Sequence, residues 1–99
     1  MCRKMDKLRN GSTDFLFDLI LTLKTKDDCY ALFEDLCTVK EIQSLGQRAI
    51  VAKMLTEGKV YNDIVKETGA STATISRVNH SLNYGADGYN NAFKRLCDK

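Results

Sequence analysis

VYNDIVKETGASTATISRVNHSL, residues 60–82, holds two short helical patterns on either side of a glycine. A tight turn between two steeply crossing helices needs a residue that tolerates positive φ, and Gly69 supplies it. Ile64 stands five residues before Gly69, Ala70 one after it, Ile75 six after it and Val78 nine after it, which packs two short helices against each other and against the rest of a domain. Ser71 is in position to cap the second helix by accepting a backbone N–H. Thr72, Ala73, Ser76 and Arg77 then fall on or near the outward, N-terminal part of that helix. Small hydroxyl and methyl side chains there let a helix lie deep in a major groove, where hydroxyls meet base edges or phosphates and methyl groups touch thymine. A plain helical hairpin would share the glycine and the spacing. The cap serine, the two branched inward residues and the small polar outer face together favour a DNA-reading helix-turn-helix. The candidate DNA-binding residues are Ser71, Thr72, Ala73, Thr74, Ser76 and Arg77, with Lys66 on the preceding helix as a phosphate contact.

Outward from this stretch, every strong period is helical. Phe15, Leu16, Leu19, Ile20 and Leu23 form one apolar stripe, and Cys29, Leu32, Phe33 and Leu36 form a second. Phe17 and Leu21 lie off the centre of the first stripe, so that helix is apolar over more of its circumference than a monomer surface tolerates, and it is expected to be buried between chains. Thr25 with Asp28 and Thr38 with Glu41 resemble capping boxes that mark the starts of the second and third helices. The third is expected from Val39 to about Glu57, with Ile42, Leu45, Ala49, Ile50, Ala52, Met54 and Leu55 inward and Gly58 as its stop. After Gly85, ADGYNNAFKRLC reads as a last helix with Tyr89, Phe93 and Leu96 inward.

A chain of 99 residues makes one domain with a modest core, which raises the prospect of a partner chain. Four cysteines, Cys2, Cys29, Cys37 and Cys97, form no C-x-x-C pair, and His80 is the lone histidine, so neither a zinc site nor a disulfide framework is indicated. Cys29 and Cys37 are expected as small, reduced core residues. No apolar run is long enough to span a bilayer, and MCRKMDKLRN lacks the apolar core of a signal peptide, which predicts a cytoplasmic protein. Net charge is only +2, but it is unevenly spread. Residues 1–9 carry four bases against Asp6, residues 10–47 three lysines against seven acids, and residues 48–99 eight bases against five acids. That pattern suits a protein that assembles through one part and meets an anion with another, although ordinary variation over a mixed surface explains charge alone equally well. Residues 1–11 are read as a basic arm, a disordered tail more readily than a groove-binding one, and residues 12–99 as the helix-turn-helix domain.

LGQRAIVAKMLTEGKVYNDIVKETGASTATISRVNHSL, residues 45–82, resembles the core of the tryptophan repressor superfamily, and best its YerC/YecD-type branch. The elements that match are Leu45, Gly46 and Arg48, then Gly69, Ala70, Ala73, Thr74, Ile75, Ser76 and Arg77, then Ser81 and Leu82. The resemblance implies an all-α, six-helix chain in an intertwined homodimer, with the first three helices and the last interlocked with those of a second chain and two reading heads projecting. It also implies a candidate effector pocket at Arg48, Arg77, Val78 and Ser81, because two arginines of the family sandwich the indole of the corepressor. The family's tryptophan repressor has glycine after the second arginine; this chain has Val78, whose isopropyl group fills volume the indole needs. The expected function is a transcriptional regulator, a repressor on a palindromic operator in double-stranded DNA, unresponsive to tryptophan, with any small-molecule effector unidentified and no cofactor.

Other readings compete. A dimeric helical module that binds protein rather than DNA would share the fold, as would a DNA-binding domain that recruits an enzyme on another chain. An enzyme has no support: Asp63 and Glu67 share a helix face without a nucleophile, phosphate loop or metal set, and a solvated face explains them. His80 is expected as a surface or helix-end residue, and Tyr61 and Tyr84 as packing residues at helix boundaries.

Overall fold

The computed structural model describes residues 7 and 9–98. Six helices follow one another, α1 (Gly11–Leu21), α2 (Lys26–Leu36), α3 (Val39–Thr56), α4 (Tyr61–Thr68), α5 (Thr72–Tyr84) and α6 (Gly88–Cys97), with no strand among the described residues. The all-α class and the helix order match expectation. Two compact units divide the chain, one ending at Val39 and one beginning at Lys40.

In the first unit, the extended Asn10 caps α1 by accepting the Thr13 N–H on its side-chain oxygen at 2.9 Å. Helix therefore begins at Gly11, one residue inside the span read as arm; the expected disorder of residues 1–6 and 8 lies outside the described residues. Thr25 caps α2, its Oγ1 accepting the Asp28 N–H at 3.1 Å. Asp28 completes the exchange one residue upstream of the expected box, its carboxylate accepting the Lys24 N–H at 3.2 Å. Leu16, Leu19, Ile20, Leu23, Leu32 and Phe33 are half-buried, but neither α1 nor α2 contains a fully buried residue. Phe15 is 63% exposed and Leu21 83%, and Phe17, Tyr30 and Leu36 are exposed with them. Cys29 is exposed and Cys37 half-buried, so neither is the core residue expected, because two short helices leave no closed interior within this unit.

The second unit has a core of its own. Val51, Ala52, Met54, Ile64, Ala70, Ile75 and Val78 are buried, with Leu55, Tyr61, Val65, Leu82, Tyr89 and Phe93 packed against them. Burying a branched or long aliphatic side chain of this kind stabilises by about 1.5–3 kcal/mol. Along α3 the inward stripe is Gln47, Val51, Met54 and Leu55, at i, i+4, i+7 and i+8. Ala52 and Met54 are buried and Leu55 packs against the core, as expected, but the rest of the expected set is corrected: Leu45, Ala49 and Ile50 are exposed and Ile42 half-buried, while Val51 is fully buried. The polar Gln47 occupies a stripe position, so apolar character alone puts the stripe on the wrong neighbours. Gly58 ends the helix at φ 82°, its N–H bonding to the Leu55 carbonyl and the Lys59 N–H to the Met54 carbonyl, both at 3.1 Å.

Gly85 stops α5. A Cβ there would run into the Ser81 carbonyl oxygen, so no side chain fits without shifting backbone. Asn90 ties α6 back, donating from Nδ2 to the Leu82 carbonyl at 3.3 Å. The Tyr89 and Phe93 rings stack with centroids 6.1 Å apart on the core side of α6, whereas Leu96 is 67% exposed and is not part of the expected buried stripe. No helix among the described residues is long and apolar enough to cross a membrane.

Candidate nucleic-acid interface

The site is α4, its turn and α5. Gly69 adopts φ 73°, and its N–H closes α4 on the Val65 carbonyl at 2.9 Å. Thr68 braces the turn from within: its hydroxyl donates to the Ile64 carbonyl at 2.7 Å and accepts the Ala70 N–H at 3.1 Å. Gln47 then donates from Nε2 to the Thr68 carbonyl at 3.2 Å, which fastens the end of α4 to α3. Sequence reasoning missed both residues. A hydroxyl directly before the turn glycine and a polar residue interrupting an apolar stripe were the signals that could have found them.

Ser71 starts α5 as expected, extended at ψ 157°, with its Oγ accepting the Thr74 N–H at 3.1 Å. The same Ser71 hydroxyl donates to Thr74 Oγ1 at 3.1 Å, so the half-buried Thr74 is engaged with the cap as much as with the outer face. Ile64, Ala70, Ile75 and Val78, the four inward positions read from spacing, are all buried. Their burial fixes the helix rotation, and Thr72, Ala73, Ser76 and Arg77 are exposed together on the first turns of α5. Helix α5 contains no acidic residue, and its N-terminal N–H groups and dipole favour an anion. Lys66 is exposed on the last turn of α4.

The residues assigned to an effector pocket are less united. Arg48 is exposed on α3, its Nε bonding at 3.4 Å to the Ser44 carbonyl of its own helix. Arg77 and Ser81 are exposed on α5, while Val78 is 3% exposed and belongs to the core. His80 is exposed, as expected, and its ring lies 5.1 Å from that of Tyr84 at an angle of 43°. Tyr61 packs against the core, but Tyr84 is 78% exposed and is not the packing residue expected: it lies at the end of α5, past Leu82, the last residue of that helix packed against the core. Asp63 and Glu67 are both exposed, and no group of three or more His, Cys, Asp or Glu able to hold a metal occurs among the described residues.

An all-α chain built around this helix-turn-helix has the architecture of Trp-repressor-like proteins, a regulatory and non-enzymatic class. The model of the Trp repressor protein family matches residues 11–97, and the chain belongs to that family. It is of the YerC type: over 93 residues it is 57% identical to the uncharacterized protein YerC of Bacillus subtilis (strain 168), spanning 94% of this chain and 89% of that protein. A candidate Trp repressor from Staphylococcus aureus, known from its crystal structure, superposes with a TM-score of 0.93 at 51% identity, over 99% of this chain and 98% of the other. A TrpR-like protein from Eubacterium eligens ATCC 27750 superposes with a TM-score of 0.89 at 58% identity, over 92% and 94%. Family and neighbours together point to a DNA-binding regulator.

Proposed function

We propose that this protein is a sequence-specific regulator that binds double-stranded DNA as an intertwined homodimer and represses by occupying a palindromic operator. The observation that carries the reading is the rotation of α5: Ile75 and Val78 are buried while Thr72, Ala73, Ser76 and Arg77 are exposed on its first turns. Thr72 and Ser76 offer hydroxyls to base edges, Ala73 offers a methyl to thymine, and Arg77, Ser71 and Thr74 meet the backbone or the adjacent edge. Lys66 contributes charge to a phosphate without reading sequence.

The exposed Phe15, Phe17, Leu21, Tyr30 and Leu36 support the dimer, since water against so many large apolar side chains is costly and a second chain would cover them. Val78 supports independence from tryptophan. Buried in the core of the head, it holds α5 by packing, and a ligand without a pocket cannot bias an equilibrium between head positions. Arg48 and Arg77 are then structural or phosphate-binding rather than a sandwich for an indole.

Electrophoretic mobility of the full chain with duplex DNA, titrated with salt, tests the reading. Affinity should fall steeply as salt rises, the mark of phosphate contact, and Ala73→Glu should abolish binding while the far-UV circular dichroism and the oligomer stay unchanged. Normal binding by Ala73→Glu would show that α5 is not the reading helix.

A further inference from the structure

The outer face of α5 does not end at the reading turns. Ala73, Arg77, His80 and Tyr84 are spaced i, i+4, i+7 and i+11, a single helical stripe, and all four are exposed. The stripe lies opposite the buried Ile75 and Val78, and α5 carries no acid anywhere along it. At its far end the Tyr84 ring, 78% exposed, lies 5.1 Å from that of His80, so the two exposed side chains form one polar-tipped aromatic edge.

We infer that His80 and Tyr84 extend the DNA interface past the bases onto the sugar–phosphate backbone, an inference that rests on the DNA reading proposed above. At about 1.5 Å per residue, His80 stands about 10 Å along the axis from Ala73 and Tyr84 about 6 Å further. A major groove is about 8.5 Å deep and about 12 Å wide. If α5 enters the groove end-on, His80 comes level with the phosphates that wall it and the Tyr84 ring, 5.1 Å from that of His80, leans back towards the same level; if α5 lies along the groove, its far turns pass the same wall. The chemistry fits phosphodiester oxygens, which only accept hydrogen bonds. The Tyr84 hydroxyl donates one, and the imidazole of His80 donates from a ring N–H in either protonation state. These contacts strengthen binding without choosing sequence, and a neutral tyrosine hydroxyl releases no counterion, which separates its signature from that of Lys66.

The test compares wild type, Tyr84→Phe, His80→Ala, the double variant and Ala73→Glu, each as the full chain. Binding is measured on a duplex chosen by selection and on an unrelated duplex of equal length, with light scattering to follow the oligomer. Tyr84→Phe removes one exposed oxygen, so folding is not at risk. Tyr84→Phe should weaken binding about two- to tenfold on both duplexes, with specificity ratio and salt slope unchanged, and the double variant should weaken it further. If Ala73→Glu abolishes binding but Tyr84→Phe and the double variant bind like wild type, DNA reading stands and this inference falls. If the variants lose only the addition of further copies along the DNA, the stripe is a contact between copies and the inference is overturned. If Ala73→Glu binds normally, both readings fall together.

Discussion

The unit ending at Val39 and the unit beginning at Lys40 are both helical and differ in their interiors. Helices α1 and α2 contain no fully buried residue, although Phe15, Phe17, Leu21 and Leu36 are as apolar as anything in the chain. From Lys40 onward, the shorter and more polar side chains of α4 and α5 still bury Ile64, Ala70, Ile75 and Val78 around Val51 and Met54. Apolar content is therefore a poor guide to which part of the chain closes a core of its own. What decides it is whether the turns bring stripes face to face, as Gly69, Ser71 and the Thr68 relay do in the head. The head has its own core and presents a polar outer face; α1 and α2 present exposed apolar side chains, which the proposed dimer would cover.

The sharpest way to break that contrast is to put charge on the N-terminal face. On a solvated surface, an exposed substitution changes stability by no more than about 0.5 kcal/mol. If a second chain covers the face, Phe17→Asp or Leu21→Asp buries a carboxylate with no partner, and the whole chain should lose its cooperative thermal transition. Light scattering that finds a folded wild-type monomer would remove the basis for this expectation. In the head, Ile75→Ala should cost about 2–5 kcal/mol from lost transfer energy and the cavity left behind. Denaturant unfolding of the dimer at fixed protein concentration measures it, and a cost below about 1 kcal/mol would mean that the core of the head is not close-packed.

Smaller effects sharpen the polar side of the comparison. Lys66→Ala should weaken binding to all sequences alike and lower the salt slope by about 1, since one phosphate contact is lost. A change in sequence preference would instead make Lys66 a reader of bases. The smallest expected effect is none at all: isothermal titration of wild type with L-tryptophan should give no saturable heat, and operator affinity should not rise when it is added. Val78→Gly should lower operator affinity by loosening α5, because the head loses a buried, β-branched residue that is stiff at χ1. Saturable tryptophan binding by wild type would show that the valine is accommodated and that Arg48 and Arg77 do sandwich a ligand.

The head was largely legible in the sequence. Gly69, Ser71 and four inward residues at set distances define a turn, a cap and a helix rotation, all of them local quantities that spacing encodes. Less was legible along α3, where Ile50 and Val51 are adjacent and equally apolar, and only the half-buried Gln47 in the true stripe says which of them faces in. The Thr68 relay and the Gln47 bond join backbone groups that no side-chain pattern reports. Period places Cys29 and Leu96 on inward stripes although both are exposed, because period gives the direction of a face but not whether anything lies against it. On the face proposed to read DNA, Thr72, Ala73 and Ser76 are small, and each suits several base edges.

Determination of the bound sites from a randomised duplex pool, with the full chain as bait, tests the central claim most directly. A two-fold dimer carrying two reading heads should enrich a palindrome whose half-site centres lie about 34 Å apart, one helical turn, and Ala73→Glu should enrich nothing. Enrichment of no sequence by wild type, or of the same palindrome by Ala73→Glu, would contradict the account.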